Sequence, residues 1–159
     1  MSIDYNKKFW EQLKKGEKYE MELLKHIPHL KYQKMDGNFK PYDLKIYHEK
    51  KRYNTYEVKT DFQIHLYGNI AIEYEWNGKP SGISTSTARY WAIFETFKGG
   101  YILYVIPRKR IIKFIKMGLY HTDTIGGDRD KSKLYLFNKQ LFKNYVIYDR
   151  KYNSNKIIN

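Results

Sequence analysis

The run Tyr101-Ile102-Leu103-Tyr104-Val105-Ile106 constrains this chain more than any other segment. It is a near-continuous apolar stretch, bounded by Gly99-Gly100 and Pro107, and far too short to cross a membrane. That pattern describes a central strand buried on both faces, so other layers must cover the sheet it belongs to. Residues 5–15 offer a helix with Phe9, Trp10 and Leu13 on one side. Gly16 interrupts it, and residues 17–26 resume with Tyr19, Leu23 and Leu24 inward until Pro28 ends the segment. Residues 29–40 read as loop, with Asp36-Gly37-Asn38 as a turn signal. The period then shortens to two. Leu44 and Ile46 alternate with Asp43 and Lys45, residues 51–54 turn, and Tyr56 and Val58 alternate with Glu57 and Lys59. A third strand over 69–76 sets Ile70, Ile72, Tyr74 and Trp76 against Ala71, Glu73 and Glu75.

The loop 77–82 leads to a predicted helix from about Thr85 to Phe97, capped by Ser84 or Thr85 and stopped by Gly99-Gly100. After the central strand, residues 108–116 give a helix with Ile111, Ile112 and Ile115 inward, ended by Gly118. A polar loop over 123–133 follows, then short strands at 134–137 and 145–148 around a helical turn at 139–142. The tail, 151–159, reads as frayed. The order predicts one α/β domain over 1–159, a mixed sheet flanked by helices on both faces. Its core is expected in about 16–106, with the helix and short strands of 108–149 added to it.

Charge points to the partner. There are 30 Lys and Arg against 17 Asp and Glu, a formal charge of +13. Such an excess suits a polyanion, and nucleic acid first, because its affinity is built largely from phosphate neutralisation. The chain has no cysteine, which excludes disulfides, thiolate metal sites and a cysteine nucleophile. The five histidines show no metal-ligand spacing, and Trp10, Trp76 and Trp91 read as core anchors. The first residues lack a signal-peptide core and no apolar run reaches membrane-spanning length, so a soluble intracellular protein is expected.

The candidate site lies on the hairpin. Glu57 and Lys59 are two residues apart and share a strand face. Asp43 lies opposite them: one register pairs 43 with 59, and a slip of two pairs 43 with 57. Either brings both acids within reach of one cation. Two carboxylates and the Val58 carbonyl suit Mg²⁺, a hard cation that activates water and neutralises developing charge in phosphodiester hydrolysis. Lys59 beside them would serve the attacking water or the transition state. Its charge state depends on the local balance. In a chain so rich in charge, a solvated strand face would carry the same residues. Glu20 on the preceding helix and Glu73 on the third strand are the next acids, the latter if its strand lies beside the second. Lys79, Ser84, Thr85 and Arg89, where a loop meets a predicted helix N-terminus, would suit phosphate, although ordinary capping needs no ligand. Arg108, Lys109 and Arg110, continued by Lys113 and Lys116, form a basic helix face for a nucleic-acid backbone or simply for solvent.

With Pro41-Tyr42-Asp43 and Glu57-Val58-Lys59 on consecutive strands after a helix, the chain resembles the PD-(D/E)XK nuclease superfamily. Asn69 to Glu75, the loop Gly78-Lys79-Pro80-Ser81-Gly82 and Ala88-Arg89-Tyr90-Trp91 are similar to segments of small phage and viral members. The resemblance covers about 16–106. It implies a restriction-endonuclease-like α/β/α core, dependence on Mg²⁺ with Mn²⁺ as substitute, and cleavage of DNA, commonly by a homodimer. It would make the protein virus-encoded and active in a host cell. Glu20 matches the extra acid of archaeal-type Holliday junction resolvases, which implies duplex or branched DNA as substrate. Ser86-Thr87-Ala88-Arg89-Tyr90 keeps the tyrosine but lacks the glutamine of the motif in lambda-type exonucleases, which favours an endonuclease.

Overall fold

The computed structural model describes residues 5–37, 40–126 and 131–150, with side chains from residue 11 onward except 12 and 13. Helix α1 (Tyr5–Leu23) runs through Gly16 without the expected interruption. One glycine costs only about 1 kcal/mol relative to alanine in a helix, too little to break a segment anchored elsewhere. Its anchor is Leu23, with Leu24 just beyond, both buried, and half-buried Tyr19. The side chains of Phe9, Trp10 and Leu13 lie outside the described residues.

Strand β1 (Lys31–Lys34) occupies part of the stretch expected to be loop. Three of its residues are exposed, as on an edge strand, so no apolar alternation marked it. The expected hairpin follows as β2 (Leu44–Tyr47) and β3 (Tyr53–Asp61). Their pairs run from Tyr47 with Tyr53 to Leu44 with Tyr56, and just before β2 the Asp43 N–H also donates to the Tyr56 carbonyl. The register is therefore the slipped one of the two alternatives.

Helix α2 (Gln63–Tyr67) leads to β4 (Asn69–Trp76), and the Asn77-Gly78 turn leads to β5 (Lys79–Pro80). Asn77 and Gly78 both have positive φ, 49° and 77°, as a tight hairpin turn requires. A 3₁₀ turn at Gly82–Ser84 follows, and then the largest departure from expectation. Residues 90–97 are not helical. They form strand β6 (Tyr90–Phe97), joined by the Lys98-Gly99 turn to β7 (Gly100–Pro107). Six of the eight β6 residues are buried, and most of the eight are aromatic or β-branched, the composition of a strand covered on both faces. Helix α3 (Arg108–Lys116) is as expected, with Ile111 buried. The supposed loop at 123–133 contains most of β8 (Thr122–Gly126) and the start of β9 (Ser132–Asn138). A 3₁₀ segment at Lys139–Tyr145 and β10 (Val146–Asp149) complete the described chain.

The strands make two sheets. One is six-stranded and mixed, in the order β1-β2-β3-β6-β7-β10, and the other is four-stranded, β5-β4-β9-β8. Within the first, β3 and β6 are parallel and the remaining neighbours antiparallel. Leu23 and Leu24 pack with Leu44, Ile46, Tyr56, Ala92, Phe94 and Leu103 on one face of this sheet. On the other face Trp91, Ile93, Ile102, Tyr104 and Ile106 meet Ile70, Ile72 and Phe137 of the second sheet, with Ile64 of α2 and Ile111 of α3. The fold is α/β with a mixed sheet. A helix covers one face, and the second sheet with helices covers the other. The apolar run at 101–106 does contribute to both cores, as its sequence demanded. Trp91 is a core anchor, but Trp76 is 46% exposed and is not.

Candidate active site

The acids of the hairpin meet where β2 begins. Because β2 starts at Leu44, the edge of β3 beyond Tyr56 has no strand partner there, and Asp43 takes that place. Its Oδ2 accepts the Val58 N–H at 2.7 Å, and its own N–H donates to the Tyr56 carbonyl at 2.9 Å. The N–H and C=O of one strand residue point to the same side. The Val58 carbonyl, the expected backbone ligand, therefore faces the same edge as Asp43.

Lys40 ties this carboxylate to the helix. Its Nζ is 2.9 Å from Asp43 Oδ1 and 3.6 Å from Glu20 Oε1. Lys34 holds the other side of Glu20, 3.2 Å from Oε2, and also reaches Glu17 at 3.3 Å. Glu20 is buried on the inward side of α1. Its carboxyl is pushed up by burial, an effect that the neighbouring Lys34 and Lys40 only partly offset. Oε2 is inaccessible to solvent and, although paired with Lys34, has no hydrogen bond of good geometry.

Glu57 and Lys59 lie on the face of β3 away from Tyr56 and Val58, in contact at 2.8 Å. Glu57 Oε2 also accepts the Ser86 hydroxyl at 3.3 Å. Lys59 is about half exposed, 48%, and its Nζ lies 5.9 Å from the centre of the Trp91 ring. Desolvation would lower its pKa, but the charges of Glu57, Asp43 and Glu73 outweigh it and raise the net value. The balance left open by sequence thus keeps Lys59 protonated at neutral pH.

The outlying residues fall differently. β4 belongs to the second sheet, so Glu73 does not stand on a strand beside β3. Its oxygens accept the Ser81 and Ser132 hydroxyls, each at 2.6 Å, a clamp between strand and turn. Ser84 and Thr85 cap no α-helix. The Ser84 hydroxyl donates to the Tyr74 carbonyl, and Thr85 Oγ1 to the Gly82 carbonyl. Lys79 is exposed on β5, and Arg89 precedes a strand, its guanidinium held by Asn54 Oδ1 at 3.0 Å. Residues 79–89 therefore present no α-helix N-terminus to a phosphate. Arg108 is committed inward, donating to the Ile83 carbonyl at 3.1 Å. Lys109, Lys113 and Lys116 are exposed along α3, beside an open cavity of about 500 Å³, and Arg110 lies 6.0 Å from the Phe114 ring.

Sequence reading had not assigned Lys34, Lys40 or Ser86 a role in this site. The donors are of the type that a hard divalent cation takes. All are oxygens, and one is buried without a good hydrogen bond. Among the described residues no three acidic or imidazole groups converge closely enough to hold an ion together. The acids are held by lysines instead. Among the described residues, no helix is long and apolar enough to cross a membrane. No protein-family model matches the chain, and no curated protein or solved structure does so.

Proposed function

We propose that the protein is a metal-dependent nuclease acting on duplex or branched DNA, an endonuclease of the PD-(D/E)XK kind. One observation carries the reading: Asp43 bonds β3 at Tyr56 and Val58, the two residues flanking Glu57, with half-exposed Lys59 two residues on from Glu57. In this reading Asp43, Glu57 and the Val58 carbonyl hold Mg²⁺, with Glu20 beside them. Mg²⁺ when bound would lower the pKa of a water and neutralise charge on the phosphate. Lys59, held by Glu57, faces the charge that develops on the phosphoryl oxygens. The exposed lysines of α3 and the net charge of +13 supply the nonspecific attraction. Glu73 supports Lys59 through its charge and is not a ligand. Assembly as a homodimer is part of the same proposal.

A panel of plasmid, linear duplex, single strand, four-way junction and RNA tests it, each with and without Mg²⁺ or Mn²⁺. Lys59→Ala leaves a half-exposed position and should abolish metal-dependent cleavage while remaining folded. Wild-type cleavage by Lys59→Ala refutes the site. A second reading, a basic nucleic-acid-binding domain without catalysis, is favoured by the lysine paired to each acid. It requires salt-sensitive binding with no nicking by the wild type.

A further inference from the structure

The ammonium of Lys40 has three oxygens about it: Asp43 Oδ1 at 2.9 Å, the Met35 carbonyl at 3.5 Å and Glu20 Oε1 at 3.6 Å. These are the hard donors that a divalent cation selects. The two acids are not a solvated surface pair, since their side chains are only 9% and 10% exposed. Buried carboxylates sharing one locality repel each other, and a positive charge must lie between them or one must take a proton. Lys40 supplies that charge. It comes from the loop between β1 and β2, closed behind it by the Met35 N–H donating to the Asp43 carbonyl at 2.9 Å. Lys34 reaches Glu20 from the side away from Asp43, through Oε2 and Glu17.

We propose that Lys40 is the resident counter-ion of the acidic site, a positioning residue that holds Glu20 and Asp43 together and yields Asp43 Oδ1 when a divalent cation enters. The inference rests on the metal-site reading above. Two positive groups repel strongly at this range, so the ammonium and the cation compete for one place. A lysine that merely braces the loop makes the opposite demand, because its loss would loosen the acids and weaken metal binding.

The test is a Mn²⁺ titration at pH 7.5 without nucleic acid, following free Mn²⁺ by its paramagnetic resonance signal. Lys40→Gln is expected to bind Mn²⁺ more tightly than the wild type by about tenfold or more. Lys34→Gln should change affinity far less, and Asp43→Asn should lose it. If Lys40→Gln is destabilised, its unfolding midpoint against Mn²⁺ concentration reports the same affinity, because a ligand of the native state raises stability by mass action. Equal or weaker binding by Lys40→Gln overturns the inference and leaves the metal site standing. Persistent unfolding at saturating Mn²⁺ also overturns it. Absence of Mn²⁺ binding in wild type and variant alike removes the metal site itself.

Discussion

Replacing Asp43 by alanine should damage the fold as well as the chemistry, and the geometry says by how much. The carboxylate accepts the Val58 N–H at 2.7 Å in a buried position, standing where a strand neighbour would be. A hydrogen bond to a charged group is worth about 1.5–3 kcal/mol net, and the N–H left behind by alanine has no other partner on that edge. Lys40 loses its shortest contact too, but it is 27% exposed and can turn to solvent, which limits that loss to about 1 kcal/mol or less. The total for Asp43→Ala is about 3 kcal/mol, a large share of the ~5–15 kcal/mol that holds a domain together. Asparagine keeps an oxygen for Val58 and loses only the charge, at a cost of about 1 kcal/mol. Urea unfolding followed by tryptophan fluorescence, to which buried Trp91 contributes, gives both values, and cleavage assays on the same samples give activity. The expected result is two inactive variants differing by about 2 kcal/mol in stability. Stabilities within 0.5 kcal/mol of each other would show that Asp43 does not cap β3.

Glu95, fully buried, accepts from Tyr104 Oη and Lys139 Nζ, both at 2.8 Å. Lys139→Met should therefore cost about 3–5 kcal/mol by urea titration, and Glu95→Gln with Lys139→Met less than the sum of the singles. Gly82 has φ +52°, and a Cβ there would overlap the Glu73 carbonyl, so Gly82→Ala should lower the melting temperature by several degrees, to about the extent of 1–3 kcal/mol. Burial lowers the pKa of His26, so the unfolded chain binds its proton more readily and stability should fall as pH drops through the ordinary imidazole range. The hydrogen bond from Lys25 lowers that of Glu22, adding stability present above the ordinary carboxyl value and lost as pH falls through the depressed one. Urea midpoints from pH 8 to 2 should show both limbs, and His26→Gln should flatten the first, with a smaller effect on the second because the two side chains meet through Tyr101. Replacing Lys109, Lys113 and Lys116 together by glutamine should shallow the log–log salt dependence of duplex binding by up to about 3.

The hairpin was legible because a core on one face imposes a period of two, and Leu44, Ile46, Tyr56 and Val58 keep it. Its register was not, because a slip of two residues leaves every side chain on the same face. Residues 90–97 misled for the opposite reason. Buried on both faces, they show no alternation to separate strand from helix, and only the aromatic and β-branched content distinguished them. Asn77-Gly78 carries a hairpin signal, which the structure realises between β4 and β5. The second sheet was hidden because β4 pairs with a segment far along the chain, and the ion pairs of Lys34 and Lys40 because they arise from β1 and its loop meeting α1.

The pairing of β4 with β9 also sets an order in time. Asn69 pairs with Asn138 and Trp76 with Ser132, so β4 leaves the ribosome well before its partner. The strands that carry Asp43, Glu57 and Lys59 close on one another through a short turn and need no such wait. Until β9 arrives, Ile70 and Ile72 lie on a strand with an open edge, the kind that pairs with other chains. Slow folding and aggregation should therefore begin at the second sheet, and chains truncated before residue 132 should be the most prone to both.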